Sequence, residues 1–247
     1  MTEFNNIVAW VPHTSLFLPN IDNSSKWDKV RRDALILADY QVDELYHFLP
    51  NKITSKYSRF AVDLERYLDD KQEPMSAKGM GYLYNRLIDG TPFDRSVFGD
   101  TSIFTEYYKQ KHAELKKAVE TIGDGCILLD LHSFNPKPIE CDTDKPPNRP
   151  DICLGFNEDE TKPAENTLKA IKDYLEDNGL KVAYNTPFSG SMTTNTKVKY
   201  KSLMIEINKR CYLINNNLHA DIYKLSYKLR KICRILWKCG WVLENSV

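Results

Sequence analysis

The chain of 247 residues has six cysteines and no CxxC pair among them, which excludes a zinc ribbon or a thioredoxin-type redox site. No stretch approaches the ~18 uninterrupted apolar residues of a membrane span. The opening segment MTEFNNIVAWVPH is too polar for a signal peptide. HExxH, GxSxG and GxxxxGK[ST] are all missing, which argues against zincin, α/β-hydrolase and P-loop chemistry. Charge of one sign is missing too: 34 Lys+Arg stand against 34 Asp+Glu. That balance argues against a dedicated nucleic-acid binder and against long disorder. Histidine is scarce, with five in the chain. The expectation is a cytoplasmic protein with reduced thiols and neither membrane nor nucleic acid as a partner.

Strand-like and helix-like segments alternate along the chain. Asn6–Pro12 (NIVAWVP), Tyr57–Leu64 (YSRFAVDL), Cys126–Leu131 (CILLDL), Ile152–Phe156, Leu180–Tyr184 and Ser202–Ile207 read as strands. The continuous apolar character of CILLDL suits a central strand covered on both faces. Helices are expected from Ser24 or Ser25 towards Leu49, over Phe104–Ile122, over Lys162–Asp177 with a stop at Asn178-Gly179, and over Ala220–Cys239. The Gly- and Pro-containing stretch Asp69–Asp100 reads as loop with a short helix near Tyr82–Ile88, and Pro136–Pro150 as loop. This order predicts one α/β domain over residues 1–247, with helices on both faces of a mixed, mostly parallel sheet.

Two histidines stand at the ends of apolar strands, where open α/β sheets build their sites: His13 after IVAWVP and His132 after CILLDL. Two in the same topological position point to a metal site. Asp130 starts on the same strand face as His132 and could orient it. Asp39, within LILADYQV, is either a helix N-cap or a third ligand, with Asp43 one turn further on. Glu206, inside LMIEIN, suits a general base with a raised pKa, unless it pairs with Lys209 or Arg210. Arg59 and Arg66 can bind carboxylates, or pair with Asp63 and Glu65.

Blocks across the chain resemble the N-formylglutamate amidohydrolase family, whose members are similar in fold to zinc carboxypeptidases. They are VPHTSLFLP (Val11–Pro19), ADYQVDELY (Ala38–Tyr46), YSRFAVDLER (Tyr57–Arg66), LLDLHSF (Leu128–Phe134), PDICLGF (Pro150–Phe156), NTPFSGSMT (Asn185–Thr193) and MIEINKRCYL (Met204–Leu213). The resemblance implies one Zn2+ held by His13, Asp39 and His132, with Glu206 as general base. It implies Arg59, Arg66, Ser133 and Gly190 as substrate contacts, Arg66 also aiding catalysis, and Asp130 behind the ligands. The implied substrate is a small N-acyl amino acid or a short peptide, cleaved by metal-activated water. Three positions depart from the family pattern: Ser15 replaces a glycine, Glu65 an asparagine, and Asn195 an arginine suited to a substrate carboxylate. They leave open a non-catalytic relative or a peptide or cell-wall amidase on the same fold.

Overall fold

The computed structural model describes residues 3–142, 145–219 and 222–242, with side chains to residue 238. Six strands form one sheet: β1 (Ile7–Val11), β2 (Lys52–Thr54), β3 (Cys126–Phe134), β4 (Ile152–Gly155), β5 (Val182–Tyr184) and β6 (Tyr200–Asn208), in the order β2-β1-β3-β6-β4-β5. All neighbours are parallel except β4 against β6. A two-stranded hairpin, β7 (Leu213–Ile214) with β8 (Asn217–Leu218), stands apart.

Because side chains alternate along a strand, β3 and β6 present two different faces. Ile127, Leu129 and Leu131, with Leu203, Ile205 and Ile207, pack in a fully apolar layer against α4 (Glu165–Asp177) and α5 (Ile222–Val242). In α4 the buried Leu168, Ile171 and Leu175 recur at helical spacing, and Gly179 takes a positive φ of 81° just past the end. The other face carries Cys126, Leu128 and Tyr200, then turns polar at Asp130, His132 and Glu206. It is covered by α1 (Asp28–Leu37), by α3 (Ser102–Ile122) and by the irregular chain between residues 55 and 100. Helices thus flank both faces of a mixed, mostly parallel sheet in a single α/β domain, as expected. No helix among the described residues is long and apolar enough to cross a membrane. The five described cysteines carry no disulfide; Cys126 and Cys153 are buried in strands.

Several elements differ from expectation. The helix begun near Ser24 stops at Leu37, and a separate α2 covers Val42–Leu45. Ala38 is extended and Gln41 left-handed at φ 63°, because the Asp39 N–H donates to the His13 carbonyl (2.9 Å) rather than back into a helix. Asp39 is therefore no helix cap: Gln41 holds that position. The strand expected over Tyr57–Leu64 is a series of turns. Its N–H groups at Ala61 and Val62 donate to the Ser58 carbonyl, and the carbonyls of Phe60 and Ala61 accept from Arg95 (3.2 and 2.6 Å). These partners satisfy the backbone that a ladder would otherwise use. The helix expected near Tyr82–Ile88 is replaced by bridges Met80↔Tyr84 and Arg86↔Pro92. Its Asn85 and Leu87 N–H groups go to Gly79 and Thr91. The last helix begins at Ile222; Ala220 and the Cys239 side chain lie outside the described residues.

Candidate active site

At the carboxyl end of β3 and beyond β1, His13, Asp39 and His132 meet. All three are buried, and a nitrogen or oxygen atom from each lies within 4.8 Å of the others. His132 sits inside β3 rather than beyond its end, since that strand continues to Phe134. Its Nδ1 is 2.9 Å from Asp39 Oδ2, and its Nε2 is 2.6 Å from Asp130 Oδ1. His13 Nε2 is 2.8 Å from Asp63 Oδ1. Its Nδ1 lies 3.4 Å from Asp39 Oδ2 and makes no hydrogen bond. A carboxylate on the far nitrogen fixes the ring and its tautomer, leaving the near nitrogen's lone pair available. The buried, unbonded Nδ1 of His13 is what a metal-ligating histidine shows when its far side is anchored.

The acids around these rings are well supplied with donors. Asp39 Oδ1 accepts from the N–H (3.0 Å) and hydroxyl (3.1 Å) of Ser133. Burial opposes ionisation of Asp39, and His13 and His132 beside it more than compensate, holding it well below the usual carboxylate range. Asp130 Oδ2 accepts from the Met192 N–H at 2.8 Å. Asp63 accepts from Arg59 Nε (3.1 Å) and Nη2 (2.8 Å), from the Tyr84 hydroxyl (2.6 Å) and from the Glu65 N–H (3.0 Å). Burial opposes its charge too, but Arg59 foremost, then His13, keep it well below the ordinary range. For His132 burial works against the charged ring, while Asp130 and Asp39 drive its pKa well above the ordinary value.

Glu206 lies directly across the β3–β6 ladder from His132. It is buried, its Oε2 has no hydrogen-bond partner, and burial pushes its pKa up to about 8. Neither neighbouring cation neutralises it. Arg210 pairs with Asp151 at 2.8 Å, and the Lys209 ammonium donates to the Ile36 carbonyl (2.7 Å) and Asn135 Oδ1 (3.4 Å).

The remaining expected residues have other partners. Arg59 is committed to Asp63. Arg66 is ion-paired with Asp63 (Nε to Oδ2, 3.7 Å) and with Glu73 (Nη1 to Oε1, 3.9 Å), and its Nε makes no hydrogen bond. Both donors of Ser133 serve Asp39. Gly190 is left-handed (φ 83°), and its N–H donates to Asn185 Oδ1 at 3.3 Å. Asp43 stands in the first turn of α2 and is not among the residues grouped to hold a metal.

The three departures fall in different places. Ser15 bonds the Lys56 carbonyl (2.6 Å). Glu65 accepts from the Trp10 indole and lies 3.9 Å from His132 Nε2, with its pKa raised to about 8 by burial and then by Asp130. Glu65, Asp130 and His132 form a second group able to hold a metal. Asn195 is not at the site: it lines a cavity of about 980 Å3 with Asp124, Gly125 and Lys199, at the opposite end of β3 and β6. Sequence reading gave Asp63 and Lys209 only as pairing partners. An aspartate embedded in FAVDL signals that some buried donor set must exist, but not which one.

The family model for N-formylglutamate amidohydrolase matches residues 5–213. No curated protein matches the chain. Among solved structures, an N-formylglutamate amidohydrolase from Ralstonia eutropha JMP134 is similar at 21% identity and TM-score 0.76, covering 99% of this chain and 96% of that one. A gene product of Agrobacterium tumefaciens is similar at 16% identity and TM-score 0.59, covering 97% and 92% respectively. At these identities the two structures speak for the fold. The family match spans most of the sequence, and the chain belongs to the N-formylglutamate amidohydrolase family.

Proposed function

We propose that this protein is a metal-dependent amidohydrolase that splits N-formylglutamate into formate and glutamate. The observation that carries the reading is the buried pair His13 and His132. Each is backed by a carboxylate on its far nitrogen, and both converge on Asp39. Family membership supports the substrate.

Two imidazole nitrogens and one carboxylate oxygen are the donor set of a catalytic zinc site with an open position. Zinc there would supply Lewis acidity, acidifying a water and polarising the formyl carbonyl. The residues do the rest. Asp63 and Asp130 hold the two rings in orientation, and Ser133 holds Asp39. Glu206, opposite His132 with a bare oxygen, takes the proton from the attacking water and returns it to the departing amine. Arg66, ion-paired with Asp63 and Glu73 but with no hydrogen bond at its Nε, would turn to the developing oxyanion or a substrate carboxylate. Arg59 serves the site through Asp63.

The test is formate release from N-formylglutamate by protein loaded with zinc, compared with the same protein stripped by a chelator. Release that disappears on stripping and returns with zinc is expected. Equal release by stripped protein overturns the metal dependence, and no release by loaded protein overturns the substrate.

A further inference from the structure

Four cations stand close to the acids of the site, and three of them are matched. Arg59 donates from Nε and Nη2 to Asp63 Oδ2, Arg66 is ion-paired with Asp63 and Glu73, and Arg149, between the rings of Phe134 and Phe188, pairs with Asp142 at 2.5 Å. Lys209 is the exception. Its residue is nine-tenths buried, yet no carboxylate among the described residues lies within ion-pair distance of its ammonium. Two of its three N–H groups meet neutral oxygens, the Ile36 carbonyl and Asn135 Oδ1. An ammonium taken out of water without a counter-ion costs several kcal/mol. The cost shows in its acidity: burial lowers its pKa to about 8.

The position of Lys209 says what the missing counter-ion is. It stands three residues beyond Glu206, where β6 ends in the turn Lys209–Cys211. Its ammonium rests on the last turn of α1, the helix that leads directly to Asp39. Its two acceptors flank the site along the chain, Ile36 three residues before Asp39 and Asn135 three residues after His132, and Asp39, Arg59, Glu206 and Asp142 are the charged groups that act on it.

We propose that Lys209 is the specificity-determining cation of the site, receiving a carboxylate of an anionic acyl amino acid in the place where the protein supplies no counter-ion. The inference rests on the hydrolase reading above, and it deepens it: it selects acidic over neutral amino-acid portions. Capping of the Ile36 carbonyl is the competing role, because a cation at a helix carboxyl end also stabilises it.

The experiment measures binding of glutarate and of glutaramide to zinc-loaded wild type and Lys209→Met by calorimetry, with thermal melting of both proteins. Expected is a loss of glutarate affinity of about 10- to 100-fold in the variant, the value of a hydrogen bond between charged groups. Glutaramide should bind both proteins alike, and the variant should melt no lower than wild type, since an unmatched buried charge has been removed. Unchanged glutarate affinity with a lowered melting point would assign Lys209 to α1 alone and overturn the proposal. Equal losses for both ligands, or wild type that fails to bind glutarate, would overturn it as well. Glutarate binding without formate release would instead count against the hydrolytic reading, and the Lys209 comparison would still be decided.

Discussion

The two faces of β3 and β6 are built from the same strands and behave oppositely. One face is apolar from Ile127 to Leu131 and from Leu203 to Ile207, with Ser133 beyond Leu131, and regular helices cover it. The other begins apolar and ends in Asp130, His132 and Glu206, beneath an irregular segment. The difference follows from hydrogen bonding. A helix interior has already satisfied its own N–H and C=O groups, so it covers apolar surface well and offers little to a buried charge. The turns between residues 55 and 100 supply side chains and free N–H groups at close range. Arg59, Tyr84 and the Glu65 N–H all reach Asp63. The polar face can therefore bury acids and histidines because its cover is irregular.

Within that face, saturation and deprivation sit side by side. The carboxylates that hold the histidines are crowded with donors, whereas Glu206 has an oxygen with none. Groups that must stay in place are over-bonded, and the group that must exchange a proton is left free.

Substitutions can break this contrast. His132→Ala should lose the bound ion and reduce formate release to background, a fall of at least ~10³-fold given what general acid–base and metal chemistry contribute. Metal analysis and a formate assay check this. On the opposite face, Leu129→Ala should do the reverse. It should cost about 2 to 5 kcal/mol of stability by denaturant unfolding, with turnover per folded molecule and metal content retained. Asp130→Asn keeps the shape but removes the charge behind His132, and should weaken zinc affinity about 10- to 100-fold, read by competition with a chelator.

The smallest effect is a pH dependence. Glu206 is raised from its ordinary 4.5 to about 8, chiefly by burial, with His132, Asp39, Asp130 and Arg59 as the charges acting on it. Its proton is bound in the folded state and released on unfolding, so its contribution to stability is complete below pH 4.5 and is lost as pH rises towards 8. Metal-free Glu206→Gln should then be more stable than metal-free wild type at pH 8, with the gap closing by pH 5. A constant gap across that range would contradict the buried, unpaired carboxyl.

The apolar face was legible in the sequence because it is periodic: CILLDL, the Lys162–Asp177 helix and the strands of the 200s fall within a few residues of their positions in the structure. The irregular cover was not. YSRFAVDL has strand-like residues, but its backbone partners are Ser58 and Arg95, which no local pattern announces. The site was half legible. His13, Asp39 and His132 come together with Glu206 across the ladder, and Asp130 backs His132; the apolar strand runs before the two histidines pointed to them, and the resemblance to Asp39 and Glu206. Ser133 and Arg59 proved to be occupied by Asp39 and Asp63, because a buried carboxylate takes the nearest donors. Asn195 lies at the far end of the sheet because the chain runs away from the site after Met192 bonds Asp130.

The most direct measurement is made on one sample of Glu206→Gln: zinc content and formate release from N-formylglutamate. One zinc per chain with turnover reduced about 10²- to 10⁴-fold is the expected result. Full zinc with full turnover would contradict the role assigned to Glu206 and, with it, the division of labour between the saturated and the bare groups of this site.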